Sequence, residues 1–460
     1  MELYGIQVDV VNRPALDEGF IPFAKFNRAF LKTAKKPVAI AVKRGGGQEA
    51  VFDTCIHGTK DMEEADFYYI DRLVKTLLWM KGGYEVTICG DEKMYGRIKD
   101  AYSPKGTRAF DYDFMSNVYE TPLQVRCCAY GDKPEARETS RPLGRHLNGC
   151  RIGFDAGGSD RKVSAVIDGA PVFSEEVVWH PKTQADPDYH YREIVAAFRS
   201  AAAHMPRVDA IGISSAGVYI DNRTMVASLF LQVPRVLFDE KVKDIYLRAA
   251  KEVADVPVVV CNDGDVSALA GSMSLSQNSV LGIAMGTSEA AGFVDENGNI
   301  TGWLNELAFV PVDAQTNGAP DEWSGDIGCG VKYFSQDAVI RLAPLAGVYL
   351  DEQLSPAEKL VKVQEILAGG SFAADSIFET MGTYLGHTLA LYSDLYACRY
   401  VLLLGRVTSG RGGELILANA KKVLESEYPD VAGALTISLP DEKSRRVGQS
   451  VAAASLPQID

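Results

Sequence analysis

Apolar residues recur along this chain at two spacings, alternate positions and every third or fourth position, and the change from one to the other marks its elements. Pro37–Arg44 and Glu49–Cys55 read as two strands joined across Gly45-Gly46-Gly47, a hairpin turn with no helix or phosphate-binding lysine after it, so it is assigned no chemistry. Glu63–Met80 has helical spacing and Tyr84–Cys89 returns to a strand. Lys133–Asn148, polar and holding Pro134 and Pro142, reads as a linker. Three strands follow, the third at Pro171–Trp179, then a helix over Pro187–His204, a strand over Val208–Ser214, and the apolar run Val256–Cys261 leading into an alanine-rich helix. A similar order recurs, with strands from Val280, Ala290 and Thr301, helices from Ser335 and Ser371, a strand at Val401 and a last helix pair. The repetition predicts an α/β fold of two similar domains with a cleft between them, behind an α+β amino-terminal module. The expected boundaries are 1–132 for the module, 133–150 for the linker, 151–278 for the first α/β domain and 279–460 for the second.

Composition narrows the class. The 460 residues suit two or three domains, and 47% hydrophobic residues can fill sizeable cores. No apolar run nears the ~20 residues that span a bilayer, and the start lacks the basic-then-apolar pattern of a secretory leader, so a cytoplasmic protein without membrane partners is expected. Eight scattered cysteines, including the adjacent Cys127-Cys128, form no regular framework and are expected as thiols. The net charge of −14 disfavours nucleic acid as a partner. Residues 1–150 hold 22 basic and 21 acidic side chains and no basic recognition helix, so DNA binding by the module is not expected. The six histidines support no metal site; His190 and His204 read as surface or helix residues.

Candidate chemistry lies at the turns. In Asp155-Ala156-Gly157-Gly158-Ser159-Asp160 a strand ends in a Gly-Gly turn whose amides can point together at phosphoryl oxygens, with Ser159 adding a hydroxyl. Asp155 is of the kind that holds the water shell of a nucleotide-bound Mg²⁺. An ordinary hairpin turn suits the same residues. Asn262-Asp263 ends a buried strand ahead of a helix, where an acid could take a proton from a hydroxyl, or could simply cap the helix. A second glycine turn, Gly286-Thr287-Ser288, again leads into a hairpin.

These motifs, in this order from about Arg151 to the end, resemble the ROK (repressor, open reading frame, kinase) family of sugar kinases and repressors within the actin-like, ribonuclease H-like ATPase superfamily. The resemblance implies two actin-like domains, ATP and Mg²⁺ as cofactors, and a sugar as the small-molecule partner. Asp155, Gly157, Gly158 and Ser159 match the first phosphate motif; Gly286, Thr287 and Ser288 match the second, with Ser288 in place of a glycine. Gly405 and Arg406 match the adenosine-side turn, Arg406 replacing a second glycine. Ile211–Gly217 with Asp221 matches a stretch beside the substrate, placing Gly217 there, and Arg446–Ser455 matches the closing alanine-rich helix. Asp263 matches the catalytic base, Asn262 its neighbour at the sugar, and Glu306 an acid that bonds sugar hydroxyls. Phe309 stands where a zinc-binding and sugar-contacting histidine is expected, and Cys329 is the one thiol where a zinc cluster needs several, so no zinc site is expected. Lys332, or Val331, takes the place of a second sugar-binding glutamate, which argues against plain glucose and suggests an acidic or otherwise modified sugar.

The implied activity is ATP-dependent phosphorylation of a sugar hydroxyl, an alcohol-acceptor phosphotransferase. The alternatives are a sugar-binding or regulatory protein that has lost kinase activity and a partner-coupled activator-type ATPase. A homodimer is the candidate assembly. The hairpin, helix and strand of the module echo the start of an actin-like half, which predicts a degenerate copy without the phosphate turn.

Overall fold

A computed structural model describes residues 1–140, 142–439 and 442–459, without the side chains of 442–447. Arg141 of the expected linker, Asp460 and the side chains of Arg446 and Val447 lie outside the described residues. The chain forms two compact units. Unit 1 comprises Met1–Thr139, Ile283–Ala290 and Trp303–Leu439; unit 2 comprises Ser140–Gly282, Ala291–Gly302 and Pro440–Asp460.

In unit 1 the amino-terminal strands β1 (Lys36–Lys43) and β2 (Glu49–Ile56) pair antiparallel from Lys36↔Ile56 to Lys43↔Glu49. Gly46 and Gly47 turn the hairpin with φ of 68° and 73°, a conformation that glycine adopts without steric cost. Helix α1 (Glu63–Lys81) then leads to β3 (Glu85–Cys89), and β4 (Gln124–Cys128) completes a sheet of order β2-β1-β3-β4. This module is not a copy of an actin-like half. Its central pair β1 and β3 runs antiparallel, whereas the corresponding pair in unit 2 is parallel. The physical cause is the missing third hairpin strand: one fewer reversal makes the helical crossover leave from β2, so β3 runs parallel to β2 and against β1.

Unit 2 contains β5 (Cys150–Ala156), β6 (Asp160–Ile167), β7 (Ala170–Val178), α2 (Pro187–Ala202), β8 (Ala210–Ser215), β9 (Val258–Asn262) and α3 (Asp263–Leu275). Its sheet has the order β9-β8-β5-β6-β7. β5, β8 and β9 are parallel, so their carboxyl ends share one edge: Ser214 lies opposite both Asp155 and Cys261, and Ser215 opposite Asn262. Ligands of open α/β sheets bind at such an edge. His190 sits on α2 but is fully buried, its Nε2 beside the carbonyls of Pro181 and Leu229; exposed His204 stacks on Phe173.

The remaining elements are β10 (Val280–Met285), β11 (Glu289–Val294), α4 (Gln336–Leu345), α5 (Pro356–Ala368), α6 (Phe372–Ser393), β12 (Tyr400–Leu404), α7 (Arg411–Glu427), β13 (Thr436–Ser438) and α8 (Glu442–Ala454). The second sheet has the order β11-β10-β12-β13. The strand expected from Thr301 does not form; only an isolated Val294↔Ile300 bridge is made. The amides that would have extended it are taken elsewhere: Asn305 N–H donates to Met80 O and Glu306 N–H to Trp79 O, each at 3.0 Å. Helix α5, not anticipated, starts with a capping box between Ser355 and Glu358. Among the described residues no helix is long and apolar enough to cross a membrane.

Candidate functional site

In unit 2 the glycine turn and the Asn-Asp corner stand at the same sheet edge. Asp155 ends β5, 7% exposed, and its Oδ1 accepts from the Ser214 hydroxyl at 2.9 Å. Burial pushes its carboxyl up to about 6 against the Lys162 ammonium and the Ser214 hydroxyl, while the Asp263 carboxylate adds to the rise. Asn262 caps α3: its Oδ1 accepts from Gly264 N–H at 2.7 Å, and its Nδ2 donates to Gly217 O at 2.8 Å. Asn262 holds the capping position and Asp263 is the first helical residue. Its Oδ1 also accepts from Gly264 N–H, at 3.0 Å. Burial raises the Asp263 carboxyl above the ordinary range, opposed by that amide and by the Lys182 ammonium. Asp155, Gly157, Gly158, Ser159, Gly217, Asn262 and Asp263 are therefore all carried by unit 2, with the Asp263 carboxylate close enough to act on Asp155.

The other candidates lie in unit 1. Gly286 N–H donates to Ser288 O at 2.9 Å and Gln336 N–H to Gly286 O at 2.8 Å, which fixes the second turn with Thr287 and Ser288 exposed. Gly405 follows β12 against Met285, and exposed Arg406 is held through its carbonyl, which accepts from Gln364 Nε2 at 2.7 Å. Glu306 is half-buried, its backbone anchored to the carboxyl end of α1 as described. Phe309 is buried and stacks on Trp79 with ring centroids 4.1 Å apart, among Phe110, Phe114 and Trp323. Lys332 is already paired, 2.9 Å from both carboxylate oxygens of Glu322 and 3.2 Å from Asp337. Its charge is met within the protein, which removes the physical motive for an acidic sugar facing it.

Three features escaped the sequence reading. Asp326 is ringed by Arg72 at 2.6 Å, Arg108 at 2.8 Å and Lys75 at 3.1 Å, and these cations hold its carboxyl far below the usual range against burial. Asp71 pairs with Arg108, and Asp111 accepts from Lys75 at 2.9 Å and from the Trp79 indole at 2.5 Å. Three cations and three acids thus join the amino-terminal module to the segment that holds Cys329, whose thiol burial pushes up to about 12. Glu289 is 3% exposed, and neither of its carboxylate oxygens has a hydrogen-bond partner among the described residues. Burial, then the Glu306 carboxylate, lift it to about 8. A Cβ at Gly330 would lie 2.3 Å from Glu289 Oε2, so the carboxyl fills the space a side chain there would need. Third, Lys182 lies against Gly158. The signal available for Glu289 was a charge opening an otherwise apolar strand; for Lys182 there was none.

Neither a protein-family model nor a curated protein sequence matches this chain. Solved structures do. A ROK hexokinase from Thermus thermophilus is 18% identical with a TM-score of 0.51, covering 67% of this chain and 97% of its own. A ROK family glucokinase from Streptomyces griseus in complex with glucose and AMPPNP is 22% identical, TM-score 0.50, covering 67% of this chain and 99% of its own. A ROK family transcriptional regulator, a homologue of the E. coli MLC protein, is 18% identical, TM-score 0.51, covering 67% of this chain and 79% of its own. Two thirds of the chain therefore has the actin-like fold of ROK sugar kinases and regulators, and an extra region lies outside it. Residues 151–460 make up the same share of the sequence.

Proposed function

We propose that this protein is an ATP-dependent carbohydrate kinase that phosphorylates a hydroxyl of a sugar other than plain glucose. The observation that carries the reading is Asp263: a carboxylate at the mouth of the parallel edge, beside the Asn262 cap and raised above the ordinary carboxylate range by burial. Asp263 accepts the hydroxyl proton as that oxygen attacks the γ-phosphorus, and the bond to the bridging oxygen breaks to release ADP. Asn262, Glu306 and Gly217 border the sugar, the turns at Gly157-Gly158-Ser159 and Gly286-Thr287-Ser288 bind phosphate oxygens, and Gly405-Arg406 borders the adenosine. Phe309 closes the acceptor side with an apolar wall, and Lys332 acts there through Glu322 and Asp337 rather than on the ligand. Catalysis of this type is positioning and charge stabilisation.

The residues fit a hydrated Mg²⁺. Asp155 is a buried carboxylate lifted to about 6 by a desolvation that the Lys162 ammonium and the Ser214 hydroxyl only partly offset, and a dication held through water would oppose that lift. When bound, the ion supplies neutralisation of phosphate charge. The boundaries 151–278 and 279–460 for two actin-like domains belong to the same proposal, as does a homodimer.

A second reading, a sugar-binding regulator without kinase activity, draws on the stacked Phe309 and the neutralised Lys332. Turnover of ATP against a panel of sugars separates the readings: sugar-dependent phosphorylation supports the kinase, sugar binding without turnover supports the regulator, and sugar-independent hydrolysis supports a partner-coupled ATPase.

A further inference from the structure

Lys182 belongs to a short turn, Pro181–Thr183, that follows β7. Trp179 ties this turn to the glycine loop: its indole N–H donates to Gly157 O at 2.8 Å, and its backbone N–H donates to Ser159 O at 3.1 Å. The lysine side chain consequently crosses the face of the loop. A Cβ added at Gly158 would lie 2.9 Å from Lys182 Cε and 3.0 Å from Nζ. The same ammonium acts on the Asp263 carboxylate and favours its ionised form. Lys182 is exposed and makes no ion pair among the described residues. The other lysine of this edge, Lys162, is engaged by Asp160 at 3.0 Å.

We propose that Lys182 is a further catalytic residue, its ammonium held over Gly157-Gly158-Ser159 to contact the phosphoryl oxygens that pass from ATP to the acceptor. The inference rests on the kinase reading and adds to it a charged group that the turn itself lacks. In phosphoryl transfer, negative charge spreads over the three equatorial oxygens of the migrating group, and a cation already in place stabilises it without reorganisation. Lysine suits the task as a mobile point charge on a flexible stem, able to follow the group as it moves. Glycine at 158 lets the stem lie flat against the loop. The other groups that face Asp263 or its neighbour are Asp155, Asp160, Lys162 and Tyr219. Of Lys162 and Lys182, Lys182 is the one without an ion-pair partner among the described residues.

The test compares Lys182→Met and Lys182→Arg with wild type, since an exposed side chain can be changed with the fold intact. The Met variant is expected to lose about 10²-fold or more in kcat, as when one charge-stabilising donor is removed. Its sugar KM stays within a few-fold. The ascending limb of its kcat–pH profile moves to higher pH, because a neighbouring cation that favoured the ionised acid is gone. Lys182→Arg recovers part of the rate. A Met variant with kcat within twofold of wild type and an unmoved profile overturns the proposal. If the wild type phosphorylates no sugar, the kinase reading fails, and calorimetry with AMPPNP and ADP still decides Lys182. Loss in the Met variant of the preference for the extra phosphate supports the contact, and an unchanged preference overturns it.

Discussion

Asp155 and Asp263 in unit 2 have a serine hydroxyl, a helix amide and two lysines acting on them, whereas among the described residues the charge that acts on Glu289 in unit 1 is the carboxylate of Glu306. Burial lifts the carboxyls at both places. In unit 2 the lift stops at about 6 for Asp155, so the acid is ionised at neutral pH; in unit 1 it carries Glu289 to about 8, so that carboxyl keeps its proton there. Compensating groups, rather than burial, separate a carboxylate ready to accept a proton from one that holds it. On the proposed reading the base lies in unit 2, whereas Glu289 in unit 1 is a buried carboxyl that stays protonated at neutral pH.

The hardest blow to this contrast is Asp263→Asn. It should lower kcat by about 10²–10⁴-fold while calorimetry finds AMPPNP affinity nearly unchanged; wild-type turnover would take the base role away from unit 2. Next comes Asp326→Ala, which leaves Arg72, Lys75 and Arg108 with two acids instead of three. Breaking a buried pair of this kind costs about 3–5 kcal/mol, read as a lower denaturant midpoint.

Glu289→Gln sharpens the comparison through pH. Between 4.5 and 8 the folded state binds more protons at Glu289 than the unfolded chain does, so stability should fall as pH rises through that window. The Gln variant should lose that slope and be on the order of 5 kcal/mol more stable than wild type near pH 9. Identical stability curves for the two proteins would place a compensating group at Glu289. The smallest effect is expected from Lys332→Met, because Glu322 is exposed and Asp337 partly so: about 1 kcal/mol at most in thermal unfolding, with no change in selectivity between acidic and neutral sugars.

Much of the candidate site could be read before folding because its geometry is local. A Gly-Gly turn after a strand, an asparagine that caps a helix and an aspartate one residue later depend on neighbours a few positions away. The parallel edge that aligns Asp155, Ser214 and Asn262 follows from strands already visible as apolar runs. The amino-terminal module shows where local reading ends. Its hairpin, helix and strand were legible, but the antiparallel β1–β3 pairing was not, because strand direction depends on how many reversals precede the crossover. The strand at Thr301 failed for a related reason: carbonyls of Trp79 and Met80, more than two hundred positions away, took its amides.

Apolar period, turn residues and caps therefore determined the elements and the two glycine turns, since these are set by backbone sterics and hydrogen bonds over a few residues. Tertiary structure alone decided which charges meet. It brought Arg72, Lys75 and Arg108 to Asp326, buried Glu289 with no hydrogen-bond partner among the described residues, laid Lys182 across Gly158 and stacked Phe309 on Trp79. Electrostatic and aromatic contacts act through space between groups that no sequence period connects, and burial sets their strength only once the chain has closed around them.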